Sequence, residues 1–398
     1  MRDVAIVGGG PGGLHAATLL ARCGLDVALF EEHASSGSPV HCTGVLASDA
    51  FDEFDLPRSV ILNALRTARF HSPTGVSISY TTEIIEAVAI DRLQLDQHLH
   101  ERAVASGAAI EHSRRVEDVS TDRDGATIRF KDGDRVRART CVLACGANYT
   151  LQRRLGLGLP SIYMQSAQLE VPAGRPGDVE LYFGRQVAPN GFAWVVPVQR
   201  PHGWHARVGL MCDADSGQHF RRFLTRIAQD WGLTGDVDTM PRQKLLPLSP
   251  LPRTYASRVL AIGDAGGIVK ATTGGGIYYS LLSASLAAST LEHALKRKAF
   301  DETTLGRYER TWRRRLGAEI RAQQRLRELA HRMTDVDIEA FFDLARTDGV
   351  MPIVRETARF NQHRGLILAL LKHPPARRVL FKRIRSRTTT LLDAATRG

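Results

Sequence analysis

Long apolar runs are missing from this chain of 398 residues. The most apolar late stretch, GLILALL at 365–371, falls far short of the roughly 20 residues a membrane-spanning helix needs. A cleavable secretory pattern is missing as well: the chain goes straight into VAIVGGG, so the expected location is cytoplasmic. Cysteine is scarce. Cys23, Cys42, Cys141, Cys145 and Cys212 are scattered and odd in number, which predicts neither a disulfide framework nor a metal site. Cys141 and Cys145 flank a strand-like VLA and read as buried thiols. Acids are short at one end only: residues 351–398 hold eleven Lys or Arg against Glu356 and Asp393, a balance of +9 within a net charge of +11. That excess suits an anionic partner. No helix-turn-helix, zinc or RNP-like motif accompanies it, so nucleic acid is not expected. Internal repeats and low-complexity segments are absent too. What is present, 43% hydrophobic and 24% charged residues, is an ordinary globular composition, long enough for two or three domains.

The strongest pattern is DVAIVGGGPGGLHAATLLARCGLDVALFEE at 3–32. A short strand, Val4 to Val7, runs into Gly8-x-Gly10-x-x-Gly13. A helix follows with Leu14, Ala17, Leu20 and Ala21 on one face, and then a second strand, VALF, ends at Glu31. Gly8 permits a tight turn, Gly10 lets backbone approach a pyrophosphate, and Gly13 lets helix pack on sheet. The helix N-terminus offers amide donors to phosphate, and Glu31 is placed to accept from ribose hydroxyls. An acid there disfavours a 2′-phosphate and fits either FAD or NAD(H).

Three later segments narrow the choice. DRLQLDQHLHERAVASGAAI (91–110) predicts a helix leading through Gly107 to a strand, and ARTCVLACGA (138–147) a strand ending in small residues. The stretch 258–291 begins as a strand, breaks at Gly263-Asp264, and passes through Gly274-Gly275-Gly276 into a small-residue helix. An acid in such a turn can hold a sugar-like hydroxyl, and successive glycines bring bare amides against a flat, partly anionic ring. Two such loops far apart in sequence imply one extended ligand on a discontinuous domain. In PNGFAWVVP (189–197), period-two alternation puts Phe192, Trp194 and Val196 on one strand face and Ala193 and Val195 on the other. A sheet core and an apolar substrate bed account for that equally well.

Together these segments resemble flavoprotein oxidoreductases of the para-hydroxybenzoate hydroxylase fold, and within them the geranylgeranyl reductase family, over nearly the whole chain. HCTGVL (41–46) sits where that family has a Cys-Gly-rich loop approaching the flavin. PNGFAWVVP resembles its Pro-x-x-Tyr-x-Trp-x-Phe-Pro motif, with Phe192 for the usual Tyr and Val196 for the usual Phe. The resemblance implies FAD held by Gly8, Gly10, Gly12, Gly13, Glu31 and Glu32 at its AMP half. It also implies Arg92, Ala144 and Gly146 near the dinucleotide, Gly263 and Asp264 at the ribityl chain, and Gly274, Gly275, Gly276 and Ile277 beside the pyrimidine edge of the ring. Phe192, Trp194 and Pro197 would line an apolar substrate tunnel. Cys42 would be the catalytic-loop residue, lining the pocket or supplying a proton. The implied activity is saturation of C=C bonds in an isoprenoid lipid by hydride from reduced flavin, with NAD(P)H or a small electron carrier as donor. The alternative is a flavin-dependent monooxygenase of a small aromatic or polyketide. A flavin halogenase fits less well, because no lysine precedes Lys131.

The expected fold class is α/β: a discontinuous Rossmann-like FAD-binding domain (1–45, 91–160 and 255–300), an antiparallel-sheet substrate domain (46–90 and 161–254) and a C-terminal helical region (301–398). Strands are expected at 70–80, 164–171, 178–184, 191–198 and 205–211, and helices at 219–232 and beyond 301, with Thr334 capping one of them. In GLILALLKHPPARRVLFKRIRSR (365–387), apolar patches alternate with cations, and Pro374 and Pro375 split the stretch into two short helices. Leu366, Leu370, Val379, Leu380 and Phe381 facing lipid, with Lys372, Arg377, Arg378, Lys382, Arg383, Arg385 and Arg387 over anionic head groups, would give peripheral membrane contact.

Overall fold

The computed structural model describes residues 1–234, 239–347 and 349–380. Phe381, Lys382, Arg383, Arg385 and Arg387 of the expected membrane-facing stretch lie outside the described residues. The chain divides into two compact units, one of residues 1–61, 90–163 and 245–320, the other of 62–89, 164–244 and the chain from 321 onward.

The first unit is built on five parallel strands in the order Val259–Ala261, Arg135–Leu143, Arg2–Val7, Val27–Phe30, Ala109–Glu111. Tyr255–Ala256 adds antiparallel at one edge. Ala126–Phe130 and Val116–Thr121 extend the first half of Arg135–Leu143. Val4 to Val7 and Val27 to Phe30 are unbroken buried apolar runs, as strands covered on both faces require. The register sets Val7, Phe30, Leu143 and Ala261 level with one another. The residues that follow them in sequence therefore collect at one edge, the carboxyl end of the sheet. Helix Pro11–Arg22 packs against helices Arg92–Ala105 and Ile277–Arg297. Asp91 caps the second of these by accepting from Gln94 N–H at 3.1 Å, and Gly107, at φ +98°, ends it.

The second unit carries a seven-stranded sheet in the order Arg242–Pro247, Tyr163–Pro172, Gly203–Cys212, Phe192–Arg200, Val179–Tyr182, Thr67–His71, Ser77–Thr81. Pairing is antiparallel from Tyr163–Pro172 through to Val179–Tyr182, but Val179–Tyr182 meets Thr67–His71 in parallel. The segment 70–80, which the sequence presents as one strand, is a hairpin instead. Pro73, Thr74 and Gly75 (φ +95°) turn it, closed by Ser72 N–H on Val76 O at 2.8 Å. Helix Ser216–Ile227 lays Phe220, Phe223, Leu224 and Ile227 on the face formed by Ala193, Val195, Ala206, Val208 and Leu210. It stops short of the expected 219–232 end.

Beyond residue 301 the described elements are helical: Glu302–His331, Asp335–Arg346, Met351–Thr357 and Arg364–Lys372, with 374–380 helical after a break at His373. Thr334 caps Asp335–Arg346 in a reciprocal box with Asp337, whose carboxylate accepts from Thr334 N–H at 2.9 Å and Oγ1–H at 2.7 Å. No helix among the described residues is long and apolar enough to cross a membrane.

Candidate functional site

Gly8, Glu31, Ala144 and Gly263 gather at the carboxyl edge of the parallel sheet, each directly or nearly following a strand. Gly8 sits at φ +106°, and a Cβ there would lie 2.4 Å from Ala144 O. A Cβ on Gly13 would lie 2.0 Å from Gly8 O, and one on Gly12 would lie 2.3 Å from Ser280 Oγ. At Gly8 and Gly13 the obstacle is backbone, so neither admits a side chain, whereas at Gly12 it is the Ser280 hydroxyl. Gly10 differs: a Cβ there would meet nothing within 4 Å, so the space before the helix N-terminus is open. Glu31 is buried, and its Oε2 accepts from Gly9 N–H at 2.6 Å while Oε1 accepts from His33 N–H at 2.9 Å. A fixed carboxylate beside an open, amide-lined turn is the donor and acceptor set that a ribose joined to a pyrophosphate requires. Glu32 is exposed, with a carboxylate oxygen 3.7 Å from Arg115 Nε. Gly146 holds φ +64° just after the strand. Burial pushes the Cys145 thiol up to about 11 and the Cys141 thiol higher still.

Cys42 is half-buried in the loop between Phe30 and Val45, and its sulfur accepts from Gly44 N–H at 3.3 Å. Arg92, one residue into its helix, reaches that sulfur, and its Nη2 donates to Asp96 Oδ2 at 2.9 Å. Burial alone would lower the Arg92 pKa; Asp96 and then Cys42 outweigh it and hold the guanidinium above its usual value. Cys42 and Arg92, candidates on separate segments, are thus neighbours.

The segment from Gly263 to Ile277 closes on itself. Gly263–Gly266 is a single 3₁₀ turn, and Gly263 N–H donates to Ser283 Oγ at 2.9 Å on the following helix. Gly274 takes φ +68°, and a Cβ on Gly276 would lie 2.6 Å from Asp264 Oδ1. The Asp264 carboxylate therefore stands over the bare backbone that leads into helix Ile277–Arg297.

In the second unit, Trp194 pairs opposite Gly209 and Phe192 opposite Met211. A Cβ on Gly209 would lie 2.5 Å from the Trp194 indole, so the ring lies flat on the sheet over this glycine. Trp194 Nε1 is buried there with no hydrogen-bond partner. Phe192 stands 5.7 Å from Trp194 and 6.1 Å from Phe183, which in turn neighbours Phe70 and Phe342. Pro197 lies on the opposite face with Ala193 and Val195, paired to Ala206, its carbonyl accepting from Asn63 Nδ2 at 3.1 Å.

Three contributors escape a reading by motif. Gly209 carried a signal, a glycine inside a strand, which often marks close approach by another group. Asp96 carried one as well, four residues after Arg92 on a helix. Lys270, only 4% exposed within the Gly263–Ile277 segment, carried none.

The family model described as "Lycopene cyclase protein" matches residues 3–347. Digeranylgeranylglycerophospholipid reductase 2 of Methanothermobacter thermautotrophicus is 27% identical over 354 residues, 85% of this chain and 90% of that protein. Geranylgeranyl diphosphate reductase of Synechocystis sp. is 28% identical over 376 residues, 86% of this chain and 88% of that protein. The crystal structure of a geranylgeranyl bacteriochlorophyll reductase-like protein from Thermoplasma acidophilum superposes with a TM-score of 0.80 at 22% identity, covering 97% of this chain and 98% of that one. A family match running through both compact units fixes the lineage: the chain belongs to the lycopene cyclase protein family.

Proposed function

We infer that this protein is an FAD-dependent oxidoreductase that saturates C=C double bonds of an isoprenoid lipid or its precursor. The observation that carries the reading is the turn at Gly8–Gly13, where backbone blocks a side chain at Gly8 and Gly13, the space over Gly10 is open, and Gly9 N–H is fixed to the Glu31 carboxylate. Gly10 and the amides after it would hold the pyrophosphate and Glu31 the ribose, with Asp264 at the ribityl hydroxyls and Gly274 to Ile277 along the ring's pyrimidine edge. The names of the relatives from Methanothermobacter and Synechocystis support an isoprenoid as the substrate.

Bound FAD supplies hydride from N5 of its reduced ring. The chain's own share is binding, orientation and the proton. Phe192, Trp194 and Phe183 offer an apolar, aromatic surface to a prenyl chain, and Phe192 does so without a hydroxyl. Cys42, with the charged Arg92 at its sulfur, is the group we assign to the second carbon of the alkene, as wall or as proton source. NAD(P)H or a small carrier would reload the flavin.

The test is incubation of dithionite-reduced protein with geranylgeranyl diphosphate and with a geranylgeranylated glycerophospholipid, followed by mass spectrometry. Gains of two mass units per reduced bond support the reading. Unchanged masses with both substrates, from protein shown to hold FAD, defeat it.

A further inference from the structure

Between Gly263 and Ile277 the sequence contains two charged residues, Asp264 and Lys270. Lys270 is 4% exposed, an unusual place for an ammonium group. The loop is folded around it: Lys270 N–H donates to Gly275 O at 3.1 Å, and Gly274 N–H donates to Lys270 O at 2.8 Å. A Cβ on Gly275 would lie 3.6 Å from Lys270 Cδ and 3.9 Å from its Cε, as one on Gly276 would lie 2.6 Å from Asp264 Oδ1. Two consecutive bare backbone positions are therefore bordered by the loop's two charged side chains, Gly276 by the Asp264 carboxylate and Gly275 by the Lys270 stem that leads to its ammonium.

Burial draws the Lys270 amine down to about 7, against the opposing pull of Asp49 and then Glu319. Those carboxylates come from the segment after the Cys42 loop and from helix Glu302–His331, and Asp264 is the other charged residue of the loop itself. A lysine so placed gains a proton when negative charge develops beside it. A purely structural ion pair has no need of a position inside the loop that would border the ring.

We propose that Lys270 is a positioning residue for FAD, supplying positive charge to the pyrimidine edge of the ring and so favouring its reduced form over its oxidised form. The proposal rests on the reading that Gly274 to Ile277 lie along that edge. Two electrons and one proton convert the neutral oxidised ring to a reduced ring bearing one negative charge at N1–C2=O, and an ammonium nearby binds the second form more tightly.

The experiment is an anaerobic dithionite titration of the full-length, FAD-loaded protein against a reference dye, for the parent, Lys270→Met and Lys270→Arg. Tenfold loss of preference for the reduced ring lowers a two-electron midpoint potential by about 30 mV. Lys270→Met is expected to show at least that fall while holding oxidised FAD within about threefold of the parent. Lys270→Arg is expected to keep the parent's potential. In the parent alone, proton uptake at Lys270 steepens the pH slope of the potential from about 30 to about 60 mV per unit once the oxidised form's amine is deprotonated. Parent-like potential and slope in Lys270→Met overturn the proposal, and a lowered Tm with no change in potential would assign the lysine to structure alone. A parent that takes up no FAD overturns the underlying cofactor reading, an outcome visible before any variant is titrated. Should Lys270→Met fail to fold, Lys270→Gln is titrated in its place, and a parent-like potential there overturns the proposal.

Discussion

Replacing Gly13 and Gly10 separately with alanine distinguishes packing from cofactor space within one six-residue turn. In Gly13→Ala the new methyl would sit 2.0 Å from Gly8 O, where non-bonded heavy atoms settle at roughly 3.5 Å. The obstacle is backbone, and Gly8 is itself tied by its N–H to Phe30 O at 2.9 Å, so it cannot step aside without moving the strand edge. Overpacking of this kind costs about 3 kcal/mol at the upper end of its usual range. The better helix propensity of alanine offsets about 1 kcal/mol of that. A net loss of about 2 kcal/mol lowers the Tm of a domain of this size by about 4–8 °C. Gly10→Ala meets no protein atom within 4 Å, and its φ of −78° suits alanine. The apo-protein should therefore melt within about 0.5 kcal/mol of the parent, while FAD affinity falls at least tenfold, about 1.4 kcal/mol. Differential scanning fluorimetry of apo-protein and FAD titration by flavin fluorescence read the two effects independently. Gly10→Ala holding FAD as tightly as the parent, or Gly13→Ala with an unchanged apo Tm, would refute the reasoning.

Other expectations concern single side chains. Cys42→Ala should retain FAD yet change the rate or extent of bond reduction; parent-like turnover removes Cys42 from the site. Gly209→Ala forces the Trp194 indole off the sheet, so tryptophan emission should shift and KM for a C20 isoprenoid rise more than kcat falls. An unmoved spectrum counts against the flat-lying ring. His15 is held at about 4 by burial, then by Arg102 and Arg22, against an ordinary 6.5. Because the unfolded state binds the proton more readily, stability from this group is present above pH 6.5 and is lost as pH falls to 4, by roughly 3 kcal/mol in all. His15→Gln should flatten the Tm profile between those limits, and a slope identical to the parent's would reject the assignment. Thr334→Ala removes the capping box and should cost about 1 kcal/mol, seen as faster amide exchange in Asp335–Arg346.

The sequence carried the nucleotide unit in full because each of its elements is a local rule: an apolar run, a glycine spacing, an amphipathic face, a terminal acid. VALF at 27–30 and the Thr334 cap lie where local chemistry puts them. What local rules could not supply is adjacency. That Val7, Phe30, Leu143 and Ala261 end level is a property of the register, and only that register makes Gly8, Ala144 and Gly263 one edge. The hairpin at 67–81 was missed because its apolar residues straddle a Pro-Thr-Gly turn without breaking the strand-like composition. The parallel pairing of Thr67–His71 with Val179–Tyr182 depends on residues more than 100 apart and leaves no local trace. The strand period placed Phe192 and Trp194 together correctly, and the same period applied to Pro197 sends it to the other face. Lys270 was invisible for a different reason: a charged residue in a glycine loop reads as solvated until the fold buries it.

The central claim is that reduced flavin in this protein delivers its electrons to an isoprenoid double bond rather than to oxygen. Stopped-flow mixing of FAD-loaded, reduced protein with a geranylgeranyl substrate under strict anaerobiosis tests this directly, through return of the oxidised absorbance band near 450 nm. The account predicts reoxidation without oxygen, at one flavin per bond, with each product heavier by two mass units. Flavin that stays reduced until oxygen is admitted, followed by a product heavier by sixteen, would contradict it and identify a monooxygenase.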